Sequence, residues 1–226
     1  MGFGVDRSGI GVVMTNPRLS QGDWDDFVAL CYFEGKGDWL ERCIGRAYLD
    51  MSRTLRRQGS SDESHGKWRQ AASLVLRNRL LELTQRVAWD APAFDEWHRT
   101  SVELLQSISR ERGVLLYVGQ CQKWINMSIK YAIALGERRL PGFAGVYEVA
   151  HIPLDSIVLD ALVGGVEGKK TLAPLQTWSR ISDYTEYLRC QLWVRNELHG
   201  IPLEIEYRLW ANGARRNELI KECAGD

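Results

Sequence analysis

The chain has 226 residues, 45% of them hydrophobic, with 29 basic and 29 acidic side chains in balance. That length suits one compact domain or two helical subdomains sharing a cleft, and the composition is that of an ordinary globular protein. No apolar run approaches the roughly 20 residues needed to cross a bilayer, and residues 1–16 lack the basic start and apolar core of a secretion signal. A cytoplasmic protein is expected.

Five cysteines (Cys31, Cys43, Cys121, Cys190, Cys223) are an odd, scattered set, which argues against a disulfide framework. Without a CxxC pair or a Cys/His cluster, neither a zinc site nor an iron–sulfur site is expected, and no other cofactor is called for. Zero net charge does not by itself favour a nucleic-acid partner. The basic residues are nonetheless mostly arginine, 22 against 7 lysines, and the planar guanidinium suits phosphate. Arg53, Arg56 and Arg57, then Arg77 and Arg79, form local clusters. Each reads equally well as a solvated residue paired with a nearby acid.

Helical periodicity dominates and strand signals are sparse, so an all-α fold is predicted. Residues 23–33 read as a short helix and 38–58 as a longer one. A polar loop at 59–66 follows, a candidate boundary between packing units. Residues 67–88 form the next helix, stopped near Asp90, and Pro92 opens another that runs to about residue 112. Residues 114–119 are a short apolar connection ending in Gly119. Residues 120–135 are helical, with Gly136 as the stop. Residues 137–152 are irregular. Pro153 starts a helix reaching about residue 163, and Gly164, Gly165 and Gly168 open a loop that closes at Pro174. Residues 178–199 and 202–210 are helical, with 215–223 as a further candidate.

The chemistry concentrates in Gly119-Gln120-Cys121-Gln122-Lys123-Trp124 and in His151-Ile152-Pro153-Leu154-Asp155. On a helix of 100° per residue, Cys121, Ile125, Ser128, Ile129, Ala132 and Leu135 make a buried stripe. Lys123 lies nearly opposite, flanked by Met127, Lys130 and Ala134 and bordered by Trp124 and Tyr131. Such company suits a half-covered face lining a cleft. Asp155, two residues after Pro153, belongs in the first turn of the next helix or at its cap, where backbone N–H groups favour the ionised carboxylate. Taken singly, Lys123 is an ordinary surface lysine and Asp155 an ordinary helix-start acid.

Together these segments resemble the helix–hairpin–helix DNA glycosylase superfamily. Its order is a glycine-terminated hairpin, a helix with an early lysine, and later a Pro-x-Asp opening another helix. The chain keeps the final glycine of the hairpin (Gly119) but not the usual Leu-Pro-Gly-x-Gly, and has leucine before Asp155 where valine is usual. The separation of the two residues, 32 positions, is similar to that in the archaeal 8-oxoguanine glycosylase branch. The resemblance covers roughly residues 98–163, within a single helical glycosylase-like domain over 1–226.

The resemblance implies Lys123 as the nucleophile attacking the sugar C1′, with a Schiff base and strand cleavage to follow. Asp155 would orient the lysine and stabilise developing positive charge. Hairpin amides around Gly119 and Gln120 would grip phosphate. Glu206 and Trp210, one helical turn apart, resemble the branch's base-recognition pair, while Trp124 and His151 are further candidates for the pocket. The implied partner is double-stranded DNA carrying a damaged or modified base, with 8-oxoguanine or a modified base in foreign DNA as substrate. A monomer associated with the nucleoid is expected. The other readings are a non-catalytic helical DNA-binding module and a helical interaction or defence protein unrelated to nucleic acid.

Overall fold

The computed structural model describes residues 20–55, 62–164 and 177–224. Among them there are eight α-helices and no strand: α1 (Gln21–Tyr32), α2 (Trp39–Ser52), α3 (Asp62–Leu83), α4 (Ala91–Arg110), α5 (Val118–Leu135), α6 (Ser156–Gly164), α7 (Tyr184–Glu197) and α8 (Pro202–Ala224). Short 3-10 turns sit at Phe143–Val146 and Trp178–Arg180. No helix of the described residues is long and apolar enough to cross a membrane. The chain divides into two compact units, residues 1–32 and 33–226. The division therefore falls before α2 and not at the polar loop of 59–66.

In the first unit α1 starts at Ser20, whose backbone N–H and hydroxyl both donate to Asp23 Oδ2 at 2.7 Å. The second unit is built by helices whose apolar spacing is regular. On α2 the buried residues are Leu40, Cys43, Ile44, Ala47, Tyr48 and Met51, and on α4 they include Phe94, Trp97, His98, Ser101, Val102 and Leu105. Steps of three and four keep each set on one face. Both helices start at an aspartate cap. Asp38 accepts from the Glu41 amide at 2.9 Å, and Asp90 accepts from the Ala93 amide at 2.8 Å.

The central element is α5, which packs along α2 and also touches α4, α7 and the turn at Trp178–Arg180. Only Lys130, Ile133 and Ala134 on this helix are not buried. The expected half-covered face is thus replaced by a helix enclosed nearly all round. Its polar side chains Gln120, Gln122, Asn126 and Ser128 are buried with hydrogen-bond partners inside the protein, as burial of polar groups requires.

Several boundaries differ from the sequence reading. α2 ends at Ser52, where Thr54 turns its hydroxyl back to the Met51 carbonyl at 2.8 Å. α3 begins at Asp62, so residues 62–66 are helical, while 56–61 lie outside the described residues. Pro153 does not start α6. Residues 151–155 form no helix or strand and the helix begins at Ser156. The segment 178–199 is a 3-10 turn followed by α7, because Asp183 caps a fresh start by accepting from the Thr185 amide at 2.8 Å. α8 runs on through 211–214, joining the two helices expected there. The loop read at 164–174 and the N-terminal residues 1–16 lie outside the described residues.

Candidate active site

Asp155 stands at the N-cap of α6. Its Oδ1 accepts from the Val158 amide at 2.9 Å and its carbonyl accepts from the Leu159 amide at 2.9 Å. The other oxygen, Oδ2, lies 2.8 Å from Lys123 Nζ. The side chains are 7% and 16% exposed respectively, so the pair sits just beneath the surface with the carboxylate nearer to solvent.

A second ion pair lies close by. Lys130, two helical turns after Lys123 on α5, donates to Glu206 Oε2 at 2.5 Å, and Glu206 on α8 is buried. Burial pushes the Glu206 carboxyl up, the Lys130 and Lys123 ammonium groups pull it down, and the Asp155 carboxylate pushes it up. The net effect is a raised value, and the four charges form one electrostatic cluster of zero formal sum. Trp210, one turn further along α8, is 41% exposed and places its ring centroid 5.8 Å from Lys130 Nζ. α8 comes near α6 at Gly213, where a Cβ would lie 2.4 Å from Ile157 Cγ2.

The backbone that leads into Asp155, residues 151–154, is held by side chains of two helices. Gln122 Nε2 donates to the Leu154 carbonyl at 2.9 Å, and the Leu154 amide donates to Gln122 Oε1 at 3.1 Å. Two residues earlier, the Ile152 amide donates to Gln191 Oε1 at 2.9 Å, and Gln191 Nε2 donates back to its carbonyl at 3.0 Å. Asn126 Nδ2 reaches the same Ile152 carbonyl at 3.1 Å. Side chains from α5 and α7 therefore take the place of neighbouring strands along a segment that has none.

Behind this segment lies a buried polar chain. His151 Nε2 is 2.7 Å from Asp95 Oδ1, and its Nδ1 is 2.8 Å from the Tyr187 hydroxyl. Asn126 Nδ2 donates to that hydroxyl at 2.9 Å, while Asn126 Oδ1 is 3.0 Å from His98 Nε2. Arg195 pairs with Asp95 at 2.8 Å. Burial drives the His151 imidazole down to about 4, against the pull of Asp95, and also holds His98 well below its ordinary value. Burial pushes the Asp95 carboxyl up, but His151 and Arg195 outweigh it and hold it below the usual range. Neutral His151 donates from Nε2 to Asp95 and accepts at Nδ1 from Tyr187.

The structure brings Lys123, Asp155, Glu206 and Trp210 into one neighbourhood and assigns the other expected site residues elsewhere. His151 is buried in the polar chain and lines no opening. Trp124 is a core residue against Tyr48 and Trp68, with Nε1 donating to the Ile44 carbonyl at 3.0 Å. Gln120 caps the start of α5, accepting from the Tyr117 amide at 3.0 Å and donating to the Thr54 carbonyl at 3.0 Å. The Gly119 amide is spent on the Ile181 carbonyl at 3.0 Å. A Cβ on Gly119 would lie 1.7 Å from the Trp178 carbonyl oxygen, so this glycine serves close packing and not an open phosphate cradle. Arg77 pairs with Asp38 and Glu41, and Arg79 with Glu82, which leaves that cluster engaged within the protein.

Sequence reasoning placed Lys130 beside Lys123 on one helix face but not its pairing with Glu206, and it missed Gln122 and Asn126 as members of the site. The i, i+7 spacing of Lys123 and Lys130 was one available signal. The comparisons add no relative: no family model, no curated protein and no solved structure matches the chain.

Proposed function

We propose that this chain is a DNA glycosylase with abasic-site lyase activity, acting on a damaged or modified base in double-stranded DNA and using a helix–hairpin–helix glycosylase fold. The observation that carries the reading is the 2.8 Å contact between Lys123 Nζ and Asp155 Oδ2. A lysine early on a central helix and an acid at the cap of a later helix meet as the sequence resemblance implies. Glu206 and Trp210 lie beside them, an acid and a partly exposed indole suited to the edge and face of an extrahelical base.

In this mechanism Asp155 takes a proton from the Lys123 ammonium, and the free amine attacks C1′ as the bond to the base breaks. The base leaves with the bonding electron pair and receives the proton that Asp155 took from Lys123. The C1′–nitrogen adduct opens the sugar to a Schiff base, which permits β-elimination of the 3′ phosphate. The Asp155 carboxylate, restored when the base takes that proton and fixed at a helix start, stabilises the positive charge of the Schiff base. With 7% of the Lys123 side chain exposed, a sugar reaches Nζ only after the covering side chains shift.

The test is borohydride trapping. Duplexes carrying 8-oxoguanine, other damaged bases or an abasic site are incubated with the protein, reduced, and examined for a covalent adduct. An adduct with the unmodified chain and none with Lys123→Gln is expected. Adducts that persist in Lys123→Gln, or none on any lesion, overturn the assignment. A purely structural ion pair is the second reading, favoured by the burial of Lys123, and it predicts the latter outcome.

A further inference from the structure

Consecutive residues of α5 grip consecutive residues of the segment 151–155. Gln122 holds both polar backbone atoms of Leu154, at 3.1 Å and 2.9 Å, and Lys123 holds Asp155 at 2.8 Å. Gln122 is fully buried, and its amide orientation is fixed because the Leu154 N–H can only donate and its carbonyl can only accept. Asn126 Nδ2 also donates to Gln122 Oε1 at 3.1 Å, which removes the freedom of the glutamine to turn. Asp155 is tied on its α6 side by the Val158 and Leu159 amides, and the Leu154 peptide anchors it from the other side. Its peptide follows Leu154 directly, so a shift of Leu154 along the segment moves the carboxylate relative to Nζ.

We propose that Gln122 is the positioning residue of the Lys123–Asp155 dyad, acting through the Leu154 peptide, and this rests on the glycosylase reading above. Gln191 supplies a comparator within the same frame. It makes the same two-point contact to Ile152, at 2.9 Å and 3.0 Å, but three residues before Asp155 and on the far side of Pro153. Both glutamines contribute buried hydrogen bonds to stability, and only Gln122 controls the residue adjoining the carboxylate.

The experiment compares Gln122→Leu with Gln191→Leu, which keep side-chain size and delete the two backbone contacts of each glutamine, together with the Asn126 contact in Gln122→Leu. Melting temperature, lesion-duplex affinity, single-turnover base release and the 13Cε chemical shift of Lys123 are measured in each. Both variants are expected to melt lower. Base release is expected to fall roughly tenfold or more only in Gln122→Leu, with affinity kept, since small misplacement of reacting groups is costly. The Lys123 signal is expected to move only in that variant. Equal rate losses in the two, or an unmoved Lys123 signal in Gln122→Leu, overturn the proposal. If the unmodified chain releases no base, the glycosylase reading falls, while the Lys123 signal still decides whether Gln122 positions the pair.

Discussion

Asp155 divides its two oxygens between two partners: Oδ2 meets Lys123 Nζ at 2.8 Å, and Oδ1 receives the Val158 amide at 2.9 Å. One oxygen thus pairs with the lysine and the other starts α6. The cap holds the carboxylate from the α6 side, so Lys123 faces a partner that the helix start already orders.

This division separates two variants. Asp155→Asn keeps an oxygen to cap α6 and loses the charge, whereas Asp155→Ala loses both. Adduct formation should fall by about 100-fold or more in each, within the range of positioned acid–base and electrostatic groups. The asparagine variant should be the more stable by about 1 kcal/mol, the contribution of a good N-cap. Urea unfolding of the two proteins reads the difference, and equal midpoints would refute the cap's separate role.

Two glycines near the site differ in what crowds them. A Cβ at Gly119 meets the Trp178 carbonyl oxygen at 1.7 Å, a backbone atom that cannot move alone. At Gly213 it meets Ile157 Cγ2 at 2.4 Å, a side-chain methyl of a half-buried residue on the short helix α6, which can give way more readily than backbone. Gly119→Ala should therefore cost several kcal/mol, about 3 or more, whereas Gly213→Ala should cost about 1 or less once the better helix propensity of alanine is counted. Thermal melts of the two variants check the order, and a reversed order would show that the close approach at Gly119 relaxes freely.

The buried histidines make stability depend on pH. His151 titrates near 6.5 ordinarily and at about 4 in the folded chain, because burial disfavours its charged form. Its depressed value means that the unfolded chain binds the proton first as pH falls. The stability it supports is complete above 6.5 and is lost progressively down to about 4. The slope contributed is at most about 1.4 kcal/mol per pH unit for one proton, and His98, shifted in the same direction, adds to it. Unfolding midpoints at pH 7.5 and pH 5 should differ in this sense for the unmodified chain and less for His151→Gln. A flat profile in the unmodified chain would contradict the buried neutral imidazole.

Helical class and most helix positions follow from the sequence alone, because they rest on local signals, whereas the pairing of Lys123 with Asp155 was implied by the resemblance to a known family. Regular apolar steps, aspartate caps and the stops at Gly113 and Gly136 each act within a turn or two of chain. Tertiary structure alone decides what lies farther off. It encloses α5 on nearly all sides, turns Trp124 into core and spends the Gly119 amide on Ile181. It also pairs Lys130 with Glu206, 76 residues away. Pro153 illustrates the reason. Locally it reads as a helix start, but Gln122, Asn126 and Gln191 hold the backbone of 152–154 and delay the helix to Ser156. Backbone groups go to whichever partner satisfies them when buried, and that partner is chosen by packing across the fold rather than by neighbours in the chain.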